Sequence, residues 1–118
     1  IVLCGSVAAY CGLPNSQPYS LTKAAIMNLS QSLWVEAARH NVDVKLISPG
    51  FVRTPLTDKN DFDMPMILEP EEAAKIIADG MTKRAFEIHF PRKFTRKVKL
   101  LSMLPYSLYF RIAQNILK

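Results

Sequence analysis

Residues 19–48 contain neither proline nor glycine, and this uninterrupted stretch lies between Pro18 and Pro49. Apolar residues recur through residues 24–37 at the spacing of a helix with a broad apolar face. Pro18 suits a first helical turn, and Asn41 suits a left-handed cap at the other end. The apolar run at 1–4 reads as a buried strand, and residues 42–47, which alternate and then turn apolar, read as the next strand. A helix between two such strands predicts a βαβ unit in a parallel sheet.

The second half of the chain continues the alternation of helix and strand. Acidic residues around Pro70 predict the start of a helix that reaches about Thr82, and residues 86–90 alternate as a strand. Residues 91–118 combine basic and apolar side chains and contain Pro105, which predicts two helical pieces. The predicted fold class is therefore α/β with a parallel sheet.

The length and composition limit the class of protein to which the chain can belong. The chain has 118 residues, of which 49% are hydrophobic and 21% charged, as expected for one globular core. No apolar run approaches the ~20 residues of a membrane-spanning helix, and the opening residues do not resemble a signal peptide.

Because the chain opens on apolar strand-like residues without Met, we expect an N-terminal portion to precede it. Cys4 and Cys11 lack the spacing of a zinc site, so we predict two small apolar residues in a reduced cytoplasm and no metal.

One set of polar residues has the spacing of an acid/base site. Ser6 precedes Tyr19 by thirteen positions, and Lys23 follows Tyr19 by four, one turn along the predicted helix. A free tyrosine has a pKa of about 10, so acting as a base near pH 7 needs a pKa lower by roughly 3, or about 4 kcal/mol. An ammonium one turn away supplies part of that stabilisation. A nearby serine hydroxyl can hold a substrate oxygen against the tyrosine.

These residues, together with a second motif, resemble a known family. The segments Gly5-Ser6, Tyr19-x-x-x-Lys23 and Pro49-Gly50-x-x-x-Thr54 are similar to the catalytic half of a short-chain dehydrogenase/reductase over about residues 1–91. A lone Y-x-x-x-K motif is weak, whereas its coupling to the serine and to the P-G-x-x-x-T loop is specific. The resemblance implies the C-terminal half of a Rossmann-type doubly wound parallel sheet.

The resemblance also implies a function, the interconversion of an alcohol and a ketone with NAD or NADP. Tyr19 would be the general acid/base, Lys23 would assist it and bind the nicotinamide ribose, and Ser6 would polarise the substrate oxygen. The further residues implied to line the cofactor site are Pro49, Gly50, Val52 and Thr54. A purely structural interpretation also remains open for each residue. Tyr19 could be a packing aromatic and Lys23 a solvated lysine, while Ser6 could be a loop cap and Pro49-Gly50 a turn.

The glycine-rich phosphate loop of this family does not occur in the sequence. A dinucleotide needs such a loop and its helix N-terminus to hold the pyrophosphate. We therefore expect the chain alone to be inactive and to bind dinucleotide poorly. We expect the full-length protein to bind the dinucleotide and to turn over substrate. A non-catalytic module that binds a membrane surface or another protein is the alternative function.

Charge is unevenly distributed along the chain. Residues 1–82 hold six Lys/Arg against nine Asp/Glu, a net charge of −3, whereas residues 83–118 hold nine against Glu87, a net charge of +8. We predict a dinucleotide-binding half-domain at 1–91 and a basic amphipathic helical extension at 92–118. The extension either packs on its own domain or faces an anionic membrane.

The remaining predictions concern partners. We expect a small apolar alcohol or ketone as substrate, a homo-oligomer, no nucleic acid, and a cytoplasmic location, either free or at the inner face of a membrane. The apolar substrate rests on side chains around the predicted substrate loop, namely Phe51, Leu56, Phe62, Met64, Met66 and Ile67.

Overall fold

The computed structural model describes residues 1–55 and 57–116, so Leu56, Leu117 and Lys118 lie outside the described residues. Over the described part, three strands form one parallel sheet in the order β1-β2-β3. The strands are β1 (Val2–Cys4), β2 (Lys45–Pro49) and β3 (Glu87–Phe90). The α/β class and the parallel sheet predicted from the sequence are confirmed.

Helices connect the strands and extend past the last of them. Over the described residues these are α1 (Tyr19–Ala37), α2 (Pro70–Met81), α3 (Arg92–Ser102) and α4 (Tyr106–Ile116). Short 3-10 turns add Val7–Ala9, Ala38–His40 and Thr57–Lys59.

The ends of α1 and α2 follow local sequence signals. Pro18 immediately precedes α1, and Asn41 closes the turn after it with φ of 55°, the left-handed conformation that asparagine tolerates. Glu69 and Glu72 form a reciprocal capping box at the start of α2, with Pro70 as its first residue. Both predicted helices are therefore confirmed near their predicted bounds.

Strand β2 begins later than its alternating pattern suggested. The prediction was 42–47, whereas the ladder runs from Lys45 to Pro49. The first pair with β1 joins Val2 to Lys45, so the register between the two strands sets where the ladder begins. The pairing register between two strands cannot be predicted from the hydrophobic pattern of one strand alone.

The core lies on both faces of the sheet. On one face Ile47, Ile88 and Phe90 are buried against Ala73 of α2. Their neighbours along the strands point the other way, because successive side chains alternate between faces. There Leu46 and Glu87 line a cavity of about 270 Å³ together with Met27 of α1. Helices thus cover both faces, which is the doubly wound arrangement predicted from the resemblance.

The region after β3 folds back as two helices around Pro105, as predicted. Thr95 of α3 is buried and its hydroxyl lies 2.6 Å from Nδ1 of His89 on β3. Tyr109 of α4 is buried and donates a hydrogen bond to the carbonyl of Gly12. Among the described residues, no helix has the length and apolarity required to cross a membrane.

Candidate active site

Two of the predicted site residues, Ser6 and Gly50, lie just beyond the carboxyl ends of strands β1 and β2. Cys4 pairs with Ile47 at the ends of β1 and β2, and the amide of Gly5 donates to the Ile47 carbonyl at 2.8 Å. Ser6 and Gly50 therefore follow neighbouring parallel strands at the same edge. In open parallel sheets, the crevice beyond the carboxyl ends of the strands is where ligands bind.

Tyr19 and Lys23 lie one turn apart on α1, close to this edge. The Lys23 ammonium lies 5.6 Å from the centroid of the Tyr19 ring and donates to the Cys4 carbonyl at 3.0 Å. The hydrogen bond ties the first turns of α1 to the end of β1. Tyr19 is 49% exposed, so the residue is half open to solvent.

Ser6 is buried at the N-terminus of the short 3-10 turn that follows β1. Its Oγ accepts a hydrogen bond from the amide of Ala8 at 3.2 Å. This contact fixes the oxygen while leaving the hydroxyl proton as a donor. The loop-cap interpretation and the substrate-binding interpretation are compatible, because they use different parts of the hydroxyl.

The loop after β2 is held by its own backbone. The Gly50 amide donates to the Phe90 carbonyl at 2.7 Å, and a Cβ at Gly50 would lie 3.1 Å from Pro91 Cδ and 3.2 Å from the Phe90 carbonyl oxygen. Close approach of two backbones therefore favours glycine here. Val52 forms a parallel bridge with Leu68, which closes the base of the intervening loop.

Thr54 is engaged inside the same loop. Its amide donates to Thr57 Oγ1 at 2.8 Å, and its hydroxyl lies 3.3 Å from the same atom. These bonds stabilise the turn at Thr57–Lys59. The Arg53 guanidinium and the Glu69 carboxylate, 2.8 Å apart, join the two ends of the loop.

The side chains within this loop are largely apolar. The Phe51 ring contacts Phe62 at 5.9 Å between centroids and Phe94 at 5.7 Å. Phe62 is 56% exposed and Met66 is 47% exposed. Met64 and Ile67 are partly buried, and Leu56, the last member of the predicted apolar set, lies outside the described residues.

A polar cluster that the sequence analysis did not predict lies under the loop after β1. Tyr10 donates to Glu87 Oε1 at 2.5 Å, and Lys99 of α3 pairs with the other carboxylate oxygen. Lys99 also lies 5.1 Å from the centroid of the Tyr10 ring. The sequence signal was Glu87 itself, the single acid among the nine cations of residues 83–118.

The environment perturbs the titration of this cluster. Burial raises the pKa of Glu87, but hydrogen bonds from Lys99 and Tyr10 outweigh burial and hold that pKa below its ordinary value. Burial and the hydrogen bond to Glu87 raise the pKa of Tyr10 far above its ordinary value. The pair is therefore a carboxylate and a neutral phenol near pH 7.

Ser48 and His89 adjoin this cluster at the ends of β2 and β3. Ser48 lies near Tyr10 and Glu87, yet its buried hydroxyl has no hydrogen-bond partner among the described residues. Burial, followed by the positive charge of Lys99, lowers the pKa of His89. A ring with a lowered pKa that is bonded to the buried Thr95 is that of a packed structural histidine.

The residues present suit the nicotinamide half of a cofactor. A phenol, an ammonium and backbone groups of a glycine-containing turn are hydrogen-bonding partners for a ribose and a carboxamide. Among the described residues, no three His, Cys, Asp or Glu side chains lie together as a metal site would require.

Comparison with known proteins gives one family. A profile of the short chain dehydrogenase family matches residues 1–64. An uncharacterized oxidoreductase of Myxococcus xanthus is 31% identical over 111 residues, covering 94% of this chain and 44% of that protein. Dehydrogenase/reductase SDR family member 4 of Bos taurus is 33% identical over 90 residues, covering 66% of this chain and 32% of that protein. The chain thus spans less than half the length of these relatives.

Solved structures share the fold. A short-chain dehydrogenase from Sphingobium yanoikuyae in complex with NADPH has a TM-score of 0.69 at 23% identity, covering 90% of this chain and 46% of that one. A bulky-bulky ketone specific alcohol dehydrogenase from Comamonas testosteroni has a TM-score of 0.65 at 21% identity, covering 90% and 43%.

Proposed function

The chain belongs to the short-chain dehydrogenase/reductase family, and on that premise we propose that the full-length protein is an NAD(P)-dependent oxidoreductase that interconverts an alcohol and a ketone. The observation that carries this proposal is the placement of Lys23. Its ammonium binds the end of β1 at 3.0 Å and lies 5.6 Å from the Tyr19 ring centroid, at the carboxyl edge of the sheet. The same ammonium thus ties α1 to β1 and brings a positive charge next to Tyr19.

The proposed chemistry at these residues is a proton transfer. In the direction of ketone reduction, Tyr19 donates its hydroxyl proton to the substrate oxygen, and in alcohol oxidation it accepts that proton. The neighbouring Lys23 ammonium stabilises the phenolate that forms. Ser6 donates its hydroxyl proton in a hydrogen bond to the same substrate oxygen, which orients the reacting carbon.

The proposed cofactor is NAD or NADP, which supplies or accepts the hydride when bound. Lys23 and Tyr19 would hold the nicotinamide ribose, and the turn after β2 would lie along the nicotinamide. The residues of that turn are Pro49, Gly50, Val52 and Thr54. The NADPH in the Sphingobium yanoikuyae structure supports this class of cofactor.

We propose an apolar substrate. The support is the set of aromatic and thioether side chains at the loop after β2, where Phe62 and Met66 are each about half exposed. Exposed apolar side chains near a crevice favour ligands that remove them from water.

The test uses the full-length protein, a panel of apolar ketones and alcohols, and each nicotinamide cofactor. Replacing Tyr19 by Phe should lower kcat by about a factor of 10² to 10⁴, the contribution expected of a general acid/base. Tyr106→Phe is the matched control, because Tyr106 is 77% exposed on α4 and far along the chain from the motif. Full turnover by Tyr19→Phe would refute the assignment.

A second candidate function, a non-catalytic module, is favoured by the surface of the C-terminal helices. We propose residues 92–118 as an extension to the domain at 1–91, acting at a membrane face or in a homo-oligomer on the cytoplasmic side. Met103 and Tyr106 expose more than three quarters of their surface, which favours a partner there. A full-length protein that binds neither cofactor, yet keeps this surface interaction, would favour the module over the enzyme.

A further inference from the structure

Helix α3 exposes four cations along one side. Arg92 and Arg96 are one turn apart, as are Lys93 and Lys97, and all four side chains are exposed. These four residues form what we call the basic stripe. Lys99, the remaining cation of the helix, is instead paired with Glu87 inside the protein.

Apolar residues continue the stripe toward the turn between α3 and α4. Leu100 follows Arg96 by four positions and is 64% exposed, and Met103 follows three later at 79%. Positions three and four apart share one face of a helix, so these side chains extend the same surface. Beyond the turn, Tyr106 and Phe110 stack at 5.6 Å between centroids with an angle of 11° between the rings, and both are exposed. We call Leu100, Met103, Tyr106 and Phe110 the apolar tip.

The opposite side of each helix is anchored to the rest of the protein. Thr95 and Val98 of α3 are buried, as are Tyr109 and Ala113 of α4. Tyr109 is further held by its hydrogen bond to the Gly12 carbonyl. The anchors fix which side of each helix faces outward, so the basic stripe and the apolar tip both lie on outward-facing surfaces of consecutive helices.

We propose that the basic stripe and the apolar tip dock the protein on an anionic phospholipid surface. The cations meet lipid phosphates, and the apolar tip enters the headgroup region, as in interfacial amphipathic helices. Charge favours this occupant, because residues 83–118 hold nine cations against one acid, and that acid is already paired. A polyanion without an apolar layer, such as nucleic acid, would leave Leu100 and Met103 in water.

This inference deepens the second candidate function, and it is independent of catalysis. The test measures lipid binding and not enzyme activity. The protein could therefore bind lipid without being an enzyme, or be an enzyme without binding lipid.

The first test measures co-sedimentation of the full-length protein with vesicles. Vesicles of phosphatidylcholine with about 30% phosphatidylglycerol should bind it, whereas pure phosphatidylcholine should bind it at least tenfold more weakly, since each cation contributes roughly a factor of five near an anionic surface. Changing the whole basic stripe to Gln should reduce binding by a hundredfold or more. The matched control removes four exposed cations elsewhere, in R39Q/K59Q/K75Q/K83Q, and should bind almost as the wild type does.

The second test changes the apolar tip. Met103→Ser with Tyr106→Ser should weaken vesicle binding by at least tenfold, whereas the control pair Val42→Ser with Met81→Ser, which are about 40% exposed, should not. Equal binding by the basic-stripe variant and its control would overturn the proposal, as would equal binding to neutral vesicles. A third outcome would also overturn the proposal. If the protein does not bind vesicles but self-associates, and the apolar-tip variant loses that self-association, the surface binds a second copy of the chain.

Discussion

Replacing Glu87 by Gln tests the polar cluster that links three separate parts of the chain. The Glu87 side chain is 16% exposed and receives a hydrogen bond from Tyr10 at 2.5 Å and an ion pair from Lys99. Glutamine keeps the size and the acceptor for Tyr10 but removes the negative charge. The substitution therefore isolates the electrostatic contribution of the carboxylate.

The expected cost lies between two limiting cases. Removing one member of a fully buried ion pair costs about 3–5 kcal/mol, because the remaining charge is left without a partner in low dielectric. A fully exposed pair is worth about 0–1 kcal/mol. Lys99 is 37% exposed, so its ammonium can recover part of its hydration when the partner is lost. We expect Glu87→Gln to lower the free energy of unfolding by about 2 kcal/mol.

Urea unfolding near pH 7 measures this change. The midpoint should fall while the slope of free energy against urea stays constant, since the surface exposed on unfolding is unchanged. Glu36→Gln is the matched control, because Glu36 is exposed on α1, and we expect a change within about 0.5 kcal/mol.

The pH dependence separates charge from packing. Burial raises the pKa of Glu87, but its hydrogen bonds hold the folded-state pKa below the ordinary value, so the carboxylate stabilises the fold above the unfolded-state pKa of about 4.3. That contribution is lost as the pH falls through the lowered folded-state pKa. The difference between wild type and Glu87→Gln should therefore shrink toward zero in acid. A difference that stays constant down to about pH 3 would refute the electrostatic argument.

Local signals in the sequence predicted the helices well. The ends of α1 follow from Pro18 and Asn41, and the start of α2 follows from Glu69 and Glu72, because a cap needs only residues within one turn. The motif spacing also predicted that Lys23 and Tyr19 lie together, since four positions on a helix place two side chains on one face. These features depend on short-range geometry alone.

Pairings across the chain could not be predicted in the same way. Lys45 stood in an alternating strand pattern, yet it is 3% exposed, and its ammonium donates to two carbonyls about forty positions away. Tyr10 and Glu87 are separated by 77 positions, and no periodicity relates them. The sequence shows that Glu87 is an isolated acid among cations, but only the packing of α3 on β3 selects Lys99 as its partner.

Two further substitutions test the packing of the sheet. In Gly80→Ala the added Cβ would lie 2.8 Å from three carbons of Ile88, so we expect the clash to outweigh the gain in helix propensity and destabilise the protein by about 1–2 kcal/mol. In an Ile88→Ala background, which lacks all three of these carbons, the added cost of Gly80→Ala should largely vanish, and an undiminished cost there would show that Ile88 is not its source. Lys45→Met keeps most of the side-chain volume but leaves two backbone carbonyls without their donor, so we expect a loss of about 2–3 kcal/mol in urea unfolding. The exposed Lys75→Met should change stability by less than about 0.5 kcal/mol, and equal effects of the two lysine variants would mean that the buried ammonium contributes nothing beyond its bulk.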